Sequence, residues 1–149
     1  MMKSLIITLL CSFCLSTTNA QSYFRQCGIQ LLTKQNGLSN NTLTGIYQDK
    51  VGFLWLGTDV GLSRYDGIHF HNYNLIDKEP RALTHLYETS NNLLWSHIAN
   101  LNQIACFDKM RGIYMPLISP TPEILQNIQD ICVLQDKLYA LTSNAIVEL

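Results

Sequence analysis

The chain has 149 residues, of which 47% are hydrophobic and 14% charged, and its formal net charge is -1. This balance is typical of a chain that buries apolar surface in a folded domain, because disordered chains are poor in hydrophobic residues and rich in charge. It excludes a basic surface for nucleic acid and an acidic tail. We therefore expect no nucleic-acid partner for this segment.

The first 20 residues have the order of features typical of a secretory signal peptide. Lys3 gives a positive start, Leu5 to Leu15 form an apolar run, and polar residues lead to Ala20. The run is short for a membrane span, and the small residue Ala20 suits cleavage before Gln21. We expect a signal helix over residues 1–20 and export to the periplasm. Membrane tethering of the full-length protein stays open.

Three cysteines follow the expected cleavage site, namely Cys27, Cys106 and Cys132. Their number is odd and their spacing matches no metal site, so at least one thiol stays unpaired within the chain. Export permits a disulfide without requiring one, and the pairing stays open. We expect these residues to act as small apolar fillers of the core.

A repeat of about 40 residues runs through the remainder of the chain. Leu43 and Leu83 stand 40 residues apart, as do Trp55 and Trp95, and a weaker third copy starts at Ile131. Each copy holds short apolar runs separated by Gly, Asp and Asn, which are typical of β-turns. Four short strands in about 40–45 residues is the length of one β-propeller blade.

The first copy predicts four strands. They are Thr42 to Gln48, Phe53 to Thr58, Leu62 to Tyr65 and Ile68 to Tyr73. The second strand is apolar on both faces, which predicts that its sheet is covered on both sides. We therefore predict an all-β chain of β-propeller blades with four antiparallel strands each, with two blades complete and a third in part, after the signal helix.

The predicted organisation has five segments. They are the signal peptide 1–20, a lead segment 21–41 with a ring-closing strand over Ile29 to Thr33, blade 1 at 42–80, blade 2 at 81–122 and a partial blade 3 at 123–149. Propeller rings close with about 4–8 blades. We therefore expect the isolated chain to be poorly soluble, oligomeric (a homodimer being one form) or only partly folded, and to bind no oligosaccharide.

The stretch from Asn36 to Gly67 resembles the two-component regulator propeller repeat. The resemblance rests on Asn36-Gly37-Leu38-Ser39-Asn40-Asn41-Thr42, Ile46-Tyr47-Gln48-Asp49, Gly52-Phe53-Leu54-Trp55-Leu56-Gly57-Thr58-Asp59 and Gly61-Leu62-Ser63-Arg64-Tyr65-Asp66-Gly67. It continues in degraded form through the second copy, where we assign Ser96 to the position of Gly57 and Gln103 to that of Gly61.

Repeats of this family form periplasmic propellers at the N-terminus of hybrid two-component sensors, which carry a histidine kinase further along, and many regulate polysaccharide use. The resemblance implies the N-terminal part of a sensor propeller for a carbohydrate-related signal. It further implies an oligosaccharide ligand and, as partners, the remaining blades and the downstream sensor domains. Two alternatives stay open. One is the propeller of a secreted carbohydrate-active enzyme or binding protein, and the other is a non-functional truncated gene product.

Few residues suggest chemistry, and for each we favour a structural role. Trp55 and Trp95 could stack on sugar rings, but both lie in apolar runs and are expected to pack between blades. His69 and His71 share a strand face near Asp66 and could hold a metal ion, but a solvated outer strand explains them as well. The sequence therefore assigns no metal ligand and no cofactor.

Two carboxylates recur at the start of a turn, and they are Asp66 and Asp108. A carboxylate pair can do acid–base work, but the repeat position favours a turn in which Asp accepts the backbone N–H two residues on. We therefore expect no enzyme activity and assign no catalytic residue. Ligand contacts stay unknown. The loops expected at the binding end of the ring are Thr58 to Gly61, Asn74 to Arg81 and His97 to Asn102.

Export gives the first test. The mature protein should begin at Gln21, because the charged, apolar and small residues occur in the order that signal peptidase requires. Intact-mass measurement of the exported protein checks this. An uncleaved chain that stays in the cytoplasm would contradict it.

Overall fold

The structure is a computed structural model that describes residues 28–74, 82–99, 101, 103–115 and 127–149. The predicted signal peptide, Cys27 and the two predicted boundaries between blades lie outside these residues. Within the described ranges, no helix is long and apolar enough to cross a membrane.

The described strands form three antiparallel sheets, each of which is one blade. Blade 1 contains β1 (Leu43–Gln48), β2 (Leu54–Thr58), β3 (Gly61–Tyr65) and β4 (Phe70–Asn74). Blade 2 contains β5 (Leu83–Glu88), β6 (Leu93–Ile98), β7 (Gln103–Asp108) and β8 (Ile113–Tyr114). Blade 3 contains β9 (Ile128–Leu134), β10 (Lys137–Thr142) and β11 (Ile146–Glu148). In every blade the strands pair in chain order, so each connection is a hairpin.

The predicted fold class is confirmed, because the sheets have four, four and three strands. The strands of blade 1 differ from the prediction by at most two residues at an end. The largest difference is at β4, which begins at Phe70 instead of Ile68. Its start is delayed because the Asp66 carboxylate accepts hydrogen bonds from the backbone N–H groups of Ile68 and His69, which keeps both residues in the turn.

The strand expected over Ile29 to Thr33 is not formed in the described part of the chain. A strand needs a neighbour for its backbone groups, and no described strand pairs with this stretch. Thr33 instead caps a 3-10 turn at Lys34–Asn36: its hydroxyl accepts from the N–H of Gln35 at 3.2 Å, and its own N–H donates to Asn36 Oδ1 at 2.9 Å. The ring-closing role stays a prediction.

Two apolar clusters hold the blades face to face. The cluster between blades 1 and 2 contains Trp55, Leu62, Leu83, Leu86, Leu94, Ile98, Ala105 and Phe107. The cluster between blades 2 and 3 contains Ile104, Ile128, Ile131, Leu138 and Ala140, with Tyr87 and Trp95 packed against it. Both faces of blade 2 are therefore buried, as the consecutive apolar residues predict.

Blades 1 and 2 come very close at Gly57. A Cβ atom on Gly57 would lie 2.1 Å from the carbonyl oxygen of Leu83, which no side chain can tolerate. The Thr44 hydroxyl donates a 2.7 Å hydrogen bond to the same oxygen and fixes the approach. Glycine at this position is therefore a requirement of packing between blades.

The equivalent position in blade 2 is His97, and the assignment of Ser96 is wrong by one residue. Gly57 and His97 each stand two residues after the repeat tryptophan, Trp55 or Trp95, that pairs with a tyrosine of the first strand. The contact between blades 2 and 3 therefore accommodates an imidazole where blades 1 and 2 require glycine.

Trp55 gives the test of this packing. Trp55 is 2% exposed, and the centroid of its ring lies 5.7 Å from that of Tyr73 and 5.5 Å from that of Phe107. Trp55→Ala should lower the free energy of unfolding by about 3–5 kcal/mol. His71→Ala, on a side chain that is 52% exposed, should change it by less than about 0.5 kcal/mol. Urea unfolding of the longer, folded protein that carries this chain compares the two, and equal, small losses would show that Trp55 is not core.

Candidate functional site

The two repeat tryptophans are anchored through their indole N–H groups. Trp55 donates to Asp49 Oδ2 at 2.9 Å, and Trp95 donates to Thr89 Oγ1 at 3.2 Å. Because Trp55 is buried between blades, its ring face is not available to a sugar. Trp95 is half-buried against the blade 2–blade 3 cluster. Both tryptophans therefore have the packing role that their apolar runs indicate.

The acceptor of the Trp55 indole is a buried carboxylate that closes the β1–β2 hairpin. Asp49 Oδ1 accepts hydrogen bonds from the backbone N–H groups of Val51, Gly52 and Phe53 at 3.0, 3.0 and 2.9 Å. In the sequence, Asp49 stands out only as part of the repeat signature Ile46-Tyr47-Gln48-Asp49. The structure shows that its other oxygen also holds the core of the blade in place.

Lys109 brings blade 2 to the same carboxylate. Its Nζ lies 3.0 Å from Asp49 Oδ2 and 2.6 Å from Glu88 Oε1, and both carboxylate side chains are 2% exposed. Glu88 Oε2 accepts from the backbone N–H of Lys50 in blade 1 at 3.3 Å. We call Asp49, Trp55, Glu88 and Lys109 the interblade junction.

The charges of the interblade junction are mutually stabilised. Burial alone would raise the pKa of Asp49, but the hydrogen bonds from Trp55 and Lys109 outweigh it and the pKa is lowered. Burial alone would lower the pKa of Lys109, but Glu88 and Asp49 outweigh it and the pKa is raised. The contribution of Asp49 to stability is thus present above its ordinary pKa and lost as the pH falls. That of Lys109 is present below its ordinary pKa and lost as the pH rises through its folded value.

The Gly-Leu-Ser signature of the repeat lies at the opposite end of blade 1. Ser39 Oγ lies 2.7 Å from Ser63 Oγ and 3.1 Å from Thr58 Oγ1, and Leu38 is buried. Asn72 Nδ2 donates to the carbonyl of Gly37 at 2.9 Å. These residues fasten the lead segment across β2, β3 and β4, so their role is structural.

Titratable side chains meet between blades 2 and 3, beside the loop predicted at the binding end. The rings of His85 and His97 are stacked with their centroids 6.1 Å apart, and His85 Nε2 lies 3.5 Å from Asp130 Oδ1. The Thr84 hydroxyl donates to the carbonyl of His97 at 3.2 Å. We call His85, His97 and Asp130 the histidine cluster.

The histidine cluster has an open and a closed part. The side chains of His85 and Asp130 are 37% and 48% exposed, whereas residue His97 is 5% exposed. His85 Nδ1 and His97 Nε2 are buried and lack a hydrogen-bond partner among the described residues. His85 also has a φ of 53°, which is unusual for a residue with a side chain. Asp130 and His85 can therefore reach a ligand, and His97 lies behind them.

The histidine cluster was not predicted from the sequence, although a comparison of the two repeat copies shows where its histidines stand. His85 and His97 stand 40 residues after Gly45 and Gly57, so two glycines of the first copy are replaced by histidines in the second. Of the loops predicted at this end, the structure describes Thr58 to Gly61 in full but leaves residues 75–81, 100 and 102 undescribed.

The side chains considered for metal binding lie on the outer edge of blade 1. His69 Nδ1 and His71 Nε2 lie 4.0 and 3.9 Å from Asp66 Oδ2, and the two imidazole side chains are 74% and 52% exposed. Hydrogen bonds from the backbone N–H groups of His69 and Ile68 lower the pKa of Asp66. No set of three such ligands in the described ranges is arranged to hold a metal ion.

The predicted turn role of the recurring carboxylates is confirmed. Asp66 Oδ1 accepts from the N–H of Ile68 at 2.8 Å, and Asp108 Oδ1 accepts from the N–H of Met110 at 2.9 Å. Each bond joins residues two apart, which is the pattern of an Asx-turn.

The two described cysteines are free thiols in different surroundings. Cys106 is buried, and burial raises the pKa of its thiol to about 11, so it is the apolar filler that we predicted. Cys132 is exposed on the face of β9 that no described strand covers, so the same prediction stays a prediction for it.

The described sheets are β-propeller blades, and they are similar to blades of solved propellers. One is the extracellular domain of the hybrid two component system BT3049 from B. thetaiotaomicron, with a TM-score of 0.60, 24% identity and 76% of this chain covered. Another is the extracellular domain of BT4673 from the same organism, with a TM-score of 0.57 and 16% identity over 76% of this chain. Virginiamycin B lyase from Staphylococcus aureus has a TM-score of 0.57 and 15% identity over 76% of this chain.

These likenesses establish the fold, and a repeat profile establishes the family resemblance. The family described as Two component regulator propeller matches residues 37–60, so this stretch is similar to a repeat of that family. The chain spans 17% of the BT3049 chain, 16% of the BT4673 chain and 42% of the lyase. A comparison with curated proteins finds no match.

Lys109→Met tests the interblade junction. Removing the cation leaves two carboxylates buried without a counter-charge, and we expect a loss of about 3–5 kcal/mol in the free energy of unfolding. Lys137→Met, which removes the exposed partner of Glu148, is the matched control and should change little. Urea unfolding of the longer, folded protein that carries this chain measures both at neutral pH. Equal losses for Lys109→Met and Lys137→Met would show that the interblade junction does not stabilise the fold.

Proposed function

We propose that this chain is part of the ligand-sensing propeller of an exported hybrid two-component regulator. The repeat at residues 37–60 and the likeness to extracellular domains of such systems support this role. In the proposal, the remaining blades complete the ring, and a histidine kinase further along receives the signal. The segment itself is non-catalytic, since the recurring carboxylates Asp66 and Asp108 close turns.

One observation carries the proposed ligand site, which is the exposed pair of Asp130 and His85 at the predicted binding end. The pair stands on β9 and β5, the first strands of neighbouring blades. β5 contacts both β1 and β9, so the first strands converge, as they do around the axis of a propeller. A ligand on the ring axis would therefore meet both side chains.

The chemistry of this pair suits a ligand rich in hydroxyl groups. A carboxylate accepts hydrogen bonds from hydroxyls, and an imidazole can donate or accept them. Few convergent polar groups beside apolar surface are typical of small-molecule sites. The proposed signal is therefore carbohydrate-related, with an oligosaccharide as ligand.

Binding by the whole exported protein that carries this chain tests the site. Calorimetry against a panel of oligosaccharides should find a ligand, and Asp130→Asn should weaken its binding about 10- to 100-fold, because a charge-assisted hydrogen bond contributes about 1.5–3 kcal/mol. His69→Gln, in the turn before the outer strand of blade 1, should leave the affinity unchanged. The site is refuted if no oligosaccharide binds or if Asp130→Asn binds as tightly as the parent.

The sensor role has a separate test in the gene. The reading frame should continue past Leu149 into further blades, a membrane span and a kinase. A stop codon directly after Leu149 in the source DNA would contradict the role in a two-component regulator, whatever the outcome of the binding measurement.

A further inference from the structure

His97 occupies a buried position in which a protonated ring would have an N–H group without an acceptor. It is 5% exposed, and its Nε2 has no hydrogen-bond partner among the described residues. Its Nδ1 lies 3.5 Å from the Thr84 hydroxyl, which donates its proton to the carbonyl of His97. A protonated imidazole would present two N–H donors here, and the one at Nε2 would be buried without an acceptor.

The groups that face His97 come from both blades. On β5 the stacked ring of His85 disfavours a second positive charge, and on β9 the carboxylate of Asp130 favours one. On β7 the residue paired with His97 is Ile104, which carries no charge. Tyr87 on β5 is also near Asp130, and burial and that carboxylate raise its pKa, so the phenol is neutral. Burial, followed by His85, lowers the pKa of His97 in spite of Asp130.

We propose that the histidine cluster is a pH-sensitive contact, in which protonation of His97 loosens blade 3 from blade 2. The neutral ring packs beside Ile104 at the edge of the apolar cluster between these blades, whereas the protonated ring is stabilised only after the blades separate and water reaches Nε2. The inference does not rest on a ligand or on the proposed function. Since Nε2 is closed to solvent, His97 acts on the interface and is not a ligand contact.

The sign of the effect follows from proton linkage. The opened state binds a proton at the ordinary histidine pKa, and the closed state binds it only at lower pH. The closed contact is therefore fully stable above the ordinary value and loses stability as the pH falls through it. At the contact between blades 1 and 2, glycine at position 57 leaves no titratable group in the corresponding place.

Hydrogen exchange of the whole exported protein that carries this chain tests the proposal. Between pH 7.5 and pH 5.5, the protection of amides in residues 128–142, corrected for intrinsic exchange rates, should fall by up to about tenfold. His97→Gln, which cannot titrate, should abolish most of this fall. His69→Gln removes an imidazole that is 74% exposed and should retain the fall of the parent.

A direct titration of the imidazoles keeps the test decisive if His97→Gln does not fold. Nitrogen chemical shifts of His97 in the parent should show that its ring takes up a proton at lower pH than an exposed histidine does. The proposal is overturned if His97 is protonated at its ordinary pKa in the folded chain. It is also overturned if protection in residues 128–142 does not change with pH, or if it changes equally in His97→Gln and the parent.

Discussion

A single carboxylate, that of Asp49, determines how the first two blades fit together. Its first oxygen accepts three backbone N–H groups of the β1–β2 turn, and its second accepts the Trp55 indole and Lys109 of the next blade. A buried charge is stable only when it is paired and hydrogen-bonded. The turn, the core tryptophan and the neighbouring sheet therefore satisfy one group together. In the same interface, Trp55 packs against Phe107 and Gly57 against the carbonyl of Leu83.

The two interfaces between blades are built on the same plan with different chemistry. Between blades 1 and 2, Tyr114 reaches back from β8, and its hydroxyl accepts from the N–H of Leu62 and donates to the carbonyl of Tyr73, both at 3.1 Å. With the ion pairs and the close glycine, this interface has little freedom to change. Between blades 2 and 3, His85 and His97 stand in place of glycines and leave polar atoms unpaired. We therefore expect a fall in pH from neutral to weaken the interface between blades 2 and 3 before the interface between blades 1 and 2.

The sequence predicts the strands well because strand signals are local. Asp66-Gly67 marks a hairpin, and the apolar run around Trp55 marks a strand buried on both faces. The interblade junction was missed because Asp49 and Lys109 are 60 residues apart, and no local pattern brings them together. The histidines at glycine positions are visible in the repeat. The histidine cluster was still missed, because the approach of His85 to Asp130 depends on how blade 3 docks on blade 2. Contacts between blades are thus the part that local patterns cannot supply.

Asp49 and Lys109 stabilise the fold by acting on each other across the blades. A double-mutant cycle of Asp49→Asn and Lys109→Met in the longer, folded protein that carries this chain, followed by urea unfolding at neutral pH, measures this coupling directly. The account predicts that the two losses are not additive, with a coupling of about 1–3 kcal/mol, as for charged groups in contact. Losses that add to within about 0.5 kcal/mol would show that the two residues act independently, and would contradict the account.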